Sequence, residues 1–359
     1  MSHYYLGRYA KGVLPVAWVT SGAPVELLRP FGFYTIYPEN HSALCAAQKM
    51  GGGLCLVAEE RGYSKDLCSY AKIDLGVFFS GRTPVGRLPK PDLLFASNNI
   101  CGTVLYWYRV LSKEYSIPLI VFDTPFNYGP LRQEDLDYML DQIEEIIEEL
   151  QRISKREFRM ERLIETMRLS KATCELWQEI LNTMKETPAP ATIFDIFSHM
   201  LPIVSLRGLR SAHSYYQILY GELFQRVRDK VSPLSEERIR LLWDNIAIWY
   251  KMRDLSELMM RHKANLVGAT YTNAWAETIV HMDPTKPFES LAKAYSLVIL
   301  NNNLYHRLEL IRKLAAEFNV NGPARRCADA GRCRRAAAWP AFGRHRARHF
   351  GASAARRFP

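Results

Sequence analysis

Much of what usually announces a function is missing from this chain. No run approaches the 18 apolar residues of a membrane helix, and the opening MSHYYLGRYAKGVLPVAW lacks a long apolar stretch with a small-residue cleavage site. Neither a membrane association nor a targeting signal is indicated, and a cytoplasmic location is expected. The seven cysteines are odd in number, irregularly spaced and never in a CxxC pair, which fits reduced thiols or cofactor ligands better than a disulfide framework. Gly51, Gly52 and Gly53 have neither the Lys-Ser/Thr of a P-loop nor the spacing of a dinucleotide fingerprint, and they read as a loop or helix stop.

Charge of one sign is also missing from most of the chain. The net charge is +10, but residues 321–359 hold ten arginines and one acid, Asp329, so all but about one of those charges lie in the last 39 residues. A phosphate-binding face spreads over a folded surface, so nucleic-acid binding is not indicated. The same 39 residues contain no Leu, Ile, Val, Lys, Glu or Tyr, and 21 of them are Ala or Arg. Nothing there has a strand period or a core face. Residues 321–359 therefore read as an aberrant, disordered tail with the composition of a GC-rich gene translated out of frame. A native RNA- or membrane-binding arm is the other reading, and Cys327 and Cys333 within it receive no role.

What remains is α/β in pattern. A chain of 359 residues exceeds what one core usually supports, so more than one domain is expected. Residues 16–20 and 33–37 suit short strands, and residues 24–28 suit a helix start. A clearer unit follows: strand 93–95, loop 96–100, helix 102–115 and strand 119–122, a right-handed βαβ unit. From Gln133 apolar residues recur at three and four through Ile153, predicting a long amphipathic helix, with a second periodic segment over 157–185; the two read as antiparallel helices packed beside the first domain. The acids from Glu144 to Glu149 read as a solvated face. Residues 191–240 look helical, with Ser232, Glu236 and Glu237 as a helix start. A second α/β unit opens near Leu241, with helix 255–262, strand 265–270 and helix 301–318. Its next strand should begin at Val320, but the tail offers nothing to build it. The boundaries expected are 1–132, 133–240, 241–320 and the tail.

Two cysteines stand in settings that a core does not ask for. Cys68 lies in a polar, aromatic run, and Cys101 follows the apolar strand and the polar loop of Ala96, Ser97, Asn98, Asn99 and Ile100. The carboxyl edge of a parallel sheet is where ligands sit, and the first turn of a helix favours a thiolate. Burial as a small hydrophobe is the ordinary alternative for any cysteine. Cys45 and Cys55 sit in apolar runs and read as packing. Ser21 and Glu39 fall at the ends of two strands, where Ser21 could simply turn the chain and Glu39 cap a helix beginning near His41.

Four local patterns occur in order: Ser21, Gly22, Pro24, Glu26 and Leu27; Tyr37, Pro38, Glu39 and Asn40; Gly62, Tyr63 and Ser64; and Cys68, Ser69 and Tyr70. With Cys101 and the run Phe122, Asp123, Thr124 and Pro125, they resemble the 2-hydroxyacyl-CoA dehydratase and benzoyl-CoA reductase family. The resemblance implies an α/β fold of two Rossmann/flavodoxin-like parallel-sheet domains with a helical insert, the second sheet being incomplete here. It implies a 4Fe-4S cluster with Cys68 and Cys101 as two thiolate ligands, and a further cysteine ligand beyond residue 320, where this sequence departs from the pattern. Ser21 then hydrogen-bonds substrate and Glu39 moves a proton, with His41 as a substitute for Glu39.

The activity so implied is radical elimination of water from a 2-hydroxyacyl-CoA thioester, through a ketyl radical anion. The partners implied are a homologous second subunit, an ATP-hydrolysing iron-sulfur activator and the acyl-CoA substrate. Benzoyl-CoA reduction by the same fold is the nearest alternative. An electron-relaying or inactive truncated subunit is another.

Overall fold

The computed structural model describes residues 2–325. After α1 (Ser2–Ala10), the first sheet is built from β1 (Val16–Val19), β2 (Tyr34–Ile36), β3 (Leu93–Ser97) and β4 (Leu119–Phe122), all parallel, in the order β2-β1-β3-β4. Between β2 and β3 lie α2 (Pro38–Ala47), α3 (Gly51–Glu60) and α4 (Ser69–Ser80), and α5 (Gly102–Tyr115) links β3 to β4.

These strands are apolar almost throughout because both faces are covered. Ala17, Val19, Leu93, Phe95 and Phe122 join one core, while Val16, Trp18, Ile36, Leu94 and Ala96 join another on the opposite face. The sheet order places the switch point between β1 and β3, whose following segments leave toward opposite sides. Crevices for ligands open at such points.

The long helices α6 (Gln133–Ser154) and α7 (Met160–Thr183) match the apolar periodicity. Of the two, α6 packs on β4 and on α13 (Pro287–Ser296), and α7 packs on α10 (Arg210–Arg228) and α12 (Thr270–Ile279). The short helices α8 (Ile193–Ser198) and α9 (Leu201–Ser205) precede α10, and α8 opens with a capping box between Thr192 and Asp195. The first core runs on without a break through these helices into the second sheet, from Val19 to Leu242 and Val267.

The second sheet consists of β5 (Ile239–Asp244), β6 (Ala264–Ala269) and β7 (Gly322–Arg325) in the parallel order β6-β5-β7. Helix α11 (Met252–Arg261) connects β5 to β6, and α14 (Leu304–Glu317) leads toward β7. The strand that the tail composition argued against therefore forms, which corrects the expectation of its absence. Backbone pairing needs no core face: the Asn321 N–H donates to the Arg240 carbonyl at 2.7 Å, and the Arg240 N–H donates to the Asn321 side chain at 2.7 Å. Among the described residues β7 lies at the sheet edge, the setting in which a strand tolerates a proline. The rest of the tail, with Cys327 and Cys333, lies outside the described residues.

Three local expectations also change. Ser232 starts no helix, because Glu237 is drawn away to Arg240, the Ala189 N–H and Asn265, and Glu236 to Arg238 and Lys263. Gly51 begins α3 rather than a loop. Residues 25–27 make one 3-10 turn, because Glu26 is held in a buried ion pair with Arg207 at 3.0 Å.

Candidate active site at the switch point

β1 ends at Val19, and the chain turns at Ser21 over the carboxyl edge of the sheet. Helix α2 begins at Pro38, earlier than expected, which places Glu39 in its first turn with its carboxylate free of capping duty. Ser21 meets that carboxylate twice. Its backbone N–H donates to Oε2 at 2.5 Å, and its hydroxyl lies 2.9 Å from both carboxylate oxygens. Glu39 is only 8% exposed. Burial pushes its carboxyl above the ordinary carboxylate range, and the two Ser21 donors pull it partly back.

Cys101 occupies the N-cap position of α5 and Cys68 that of α4, and both are exposed. Partial burial of the Cys101 sulfur pushes its thiol up, and hydrogen bonding from the Val104 N–H pulls it down. The charges of Glu39 and Cys68 push it up as well, and the Thr103 N–H pulls it down. Thus Ser21, Glu39, Cys101 and Cys68 form one neighbourhood. The partly buried Tyr271 of α12 lies within electrostatic reach of Glu39, whose charge, after desolvation, raises its phenol.

His41 goes elsewhere. Residues two apart on a helix face different ways, and His41 is buried against Thr83, whose hydroxyl lies 2.8 Å from its Nε2, with the Tyr4 ring edge-on at 5.4 Å. Desolvation lowers its pKa to about 4, and its Nδ1 has no hydrogen-bond partner. The structure does not bring it to the Ser21–Glu39 pair. Cys45 is buried as expected, 3.8 Å from the His41 ring, and Cys55 is half-buried with its sulfur 3.9 Å from the Ser69 carbonyl.

Sequence reading passed over the residues that hold the Cys101 loop. The Asn98 side chain bonds Asp123, and its Oδ1 accepts from the Thr124 N–H at 2.7 Å and hydroxyl at 2.9 Å, tying the loop to the end of β4. The Asn99 amide donates to the Gly22 and Tyr295 carbonyls, each at 2.9 Å. The only signal was two amides directly after an apolar strand.

A family model described as "2-hydroxyglutaryl-CoA dehydratase, D-component" matches residues 20–323. The chain belongs to that family. The (R)-2-hydroxyisocaproyl-CoA dehydratase alpha subunit of Clostridioides difficile is 36% identical over 297 residues, covering 81% of this chain and 71% of that protein. The lactoyl-CoA dehydratase alpha subunit of Anaerotignum propionicum is 30% identical, covering 87% of this chain and 77% of its own length. A benzoyl-CoA reductase subunit of Thauera aromatica is 30% identical, covering 88% of this chain and 76% of its own length. The family and an enzyme subunit of the dehydratase type, both expected from the sequence motifs, stand on these matches. Among the described residues, no helix is long and apolar enough to cross a membrane.

The donor set can be weighed against the iron-sulfur cluster that the motifs imply. Two exposed cysteines at helix starts, near enough for the charge of one to oppose that of the other, suit soft thiolate ligation. No group of three or more His, Cys, Asp or Glu arranged to hold a metal ion occurs among the described residues. The two thiolates therefore fit part of a ligand set.

Proposed function

We propose that this chain is the substrate-binding subunit of a 2-hydroxyacyl-CoA dehydratase, working in the cytoplasm with a homologous companion subunit and an ATP-hydrolysing activator. The observation that carries the reading is the buried Ser21–Glu39 pair at the switch point, with the Cys101 thiol within electrostatic reach of Glu39 and of Cys68. Cys68 and Cys101 would hold a 4Fe-4S cluster, the remaining ligands coming from outside the described residues. Bound there, the cluster supplies one-electron chemistry and Lewis acidity.

The protein's own groups handle the proton. Glu39, whose carboxyl burial raises above the ordinary carboxylate range, takes the proton that the substrate carbon loses and releases it after turnover. While Glu39 is ionised, the Ser21 hydroxyl donates to it and can accept from a substrate hydroxyl. Once Glu39 is protonated it can donate to Ser21 Oγ, and the Ser21 O–H turns outward to the thioester carbonyl. The Trp249 indole, which donates to the Tyr70 hydroxyl, and Tyr271, whose phenol feels the Glu39 charge, bring the second α/β unit toward this edge.

Anaerobic reconstitution tests the reading. Roughly four irons per chain are expected, lost in Cys68→Ala and in Cys101→Ala, and a colourless wild-type protein would overturn it. The likeness to the Thauera aromatica benzoyl-CoA reductase subunit supports a second reading, ATP-driven reduction of an aromatic thioester. Turnover of a 2-hydroxyacyl-CoA without stoichiometric ATP consumption separates the two in favour of the dehydratase.

A further inference from the structure

We infer that Asn99 is a positioning residue that fixes the Ser21 turn against the Cys101 thiol. The inference rests on the reading that both belong to one site. Asn99 is 1% exposed and lies two residues before Cys101, while its partner Gly22 directly follows Ser21. One amide nitrogen thus ties the β1 turn, the β3 loop and α13 together at 2.9 Å on each side. Its orientation is set by chemistry: turned over, the amide would aim its oxygen at two carbonyl oxygens.

Two observations say that this contact does more than fill space. Asn99 Oδ1 is buried without a hydrogen-bond partner, a cost that an apolar residue of similar size would avoid. Gly22 is shaped to the same contact. A Cβ at Gly22 would stand 2.3 Å from Asn99 Oδ1, and 2.6 and 2.7 Å from side-chain carbons of Ile100. Only a glycine lets the Ser21 turn seat against this loop.

The far end of the link is rigid. Tyr295, whose carbonyl receives the amide, donates its hydroxyl to Glu26 at 2.5 Å and accepts from Arg207 at 2.7 Å, and Ser170 of α7 donates to Glu26 at 2.7 Å. With Asn98 bound to the end of β4 on the other side, the loop that carries Cys101 is held from both flanks. Removing the Asn99 amide frees one flank and lets the sulfur drift from Cys68 and Glu39 without unfolding the chain.

The test uses the full apoprotein and Cd2+ alone as a thiolate probe, read by sulfur-to-cadmium charge-transfer absorbance. Wild-type protein is expected to show a signal that Cys68→Ala and Cys101→Ala each abolish. Asn99→Ala is expected to weaken that binding roughly 10- to 100-fold, as loss of a group that orients a metal ligand does, with the circular dichroism spectrum unchanged. Asn99→Ser serves if the alanine variant does not fold. Wild-type affinity in either folded variant would overturn the inference. A wild-type protein with no Cys68-dependent signal would instead remove the shared site, and the inference with it.

Discussion

Ser21 offers the Glu39 carboxylate two donors, its backbone N–H at 2.5 Å and its hydroxyl at 2.9 Å, yet burial still raises the carboxyl above its ordinary range. Desolvation outweighs two hydrogen bonds. Ser21→Ala removes one donor and raises the carboxyl further. Because a base must be ionised, the acidic limb of the pH–rate profile should move to higher pH. Glu39→Gln should lower turnover by roughly 10²- to 10⁴-fold, the usual worth of a positioned base. An unmoved limb in Ser21→Ala would separate Glu39 from the chemistry.

Behind the sheet, two buried groups pull the stability in opposite directions with pH. His41 is depressed to about 4 and Asp74 is raised to about 7, both mainly by desolvation, with the Trp107 indole donating to Asp74 at 2.9 Å. A depressed histidine binds fewer protons folded than unfolded, so its contribution rises as pH climbs from about 4 to about 6.5. A raised carboxyl binds more protons folded, so its contribution falls between about 4 and about 7. The two slopes oppose each other in nearly the same window. Urea unfolding across that window should show a stability that falls with pH in His41→Asn and rises with pH in Asp74→Asn. Parallel curves in the two variants would contradict the assignment.

Glu26 and Arg207 are both fully buried, joined at 3.0 Å, and between them engage Ser170, Tyr295 and the Ile203 carbonyl. Arg207→Met strands a buried carboxylate, and a loss of roughly 3–5 kcal/mol is expected. Replacing Glu26 and Arg207 together with apolar residues should cost less than the single change. Chemical denaturation of Arg207→Met, Glu26→Leu and the double variant decides it, and additive losses would show that the pair does not act as a unit.

Gly76 lets α4 lie against α3: a Cβ there would stand 2.1 Å from the Leu54 carbonyl oxygen. Gly76→Ala must push the helices apart. A loss of about 1–3 kcal/mol is expected, together with weaker Cd2+ binding because Cys68 heads α4. A variant with wild-type stability would mean that the helix pair yields freely.

The first sheet was legible because parallel strands buried on both faces leave short apolar runs, and residues 93–122 were placed nearly as they fold. The long helices announced themselves by periodicity, but their neighbours did not, since an apolar stripe does not say what it meets. Glu237 illustrates the harder failure: next to Ser232 it imitates a helix start, and only the fold shows it bonded to Asn265 and Arg240. At the site, motifs picked out Ser21 and Glu39, which hydrogen-bond to each other, and Cys68 and Cys101, of which Cys101 feels the charges of Glu39 and Cys68. His41, the substitute considered for Glu39, faces the interior instead, two residues along α2. Asn99 escaped notice because its partners lie 77 and 196 residues away.

Cys68 and Cys101 are exposed, whereas Cys45 and Cys174 are sealed in the interior. Among these four, alkylating reagents should therefore find two populations of sulfur. Labelling at Cys68 and Cys101 should be fast and leave the melting transition where it was, since neither props up a core. Labelling at Cys45 and Cys174 should wait for the chain to open, so their modification rate becomes a built-in clock for unfolding.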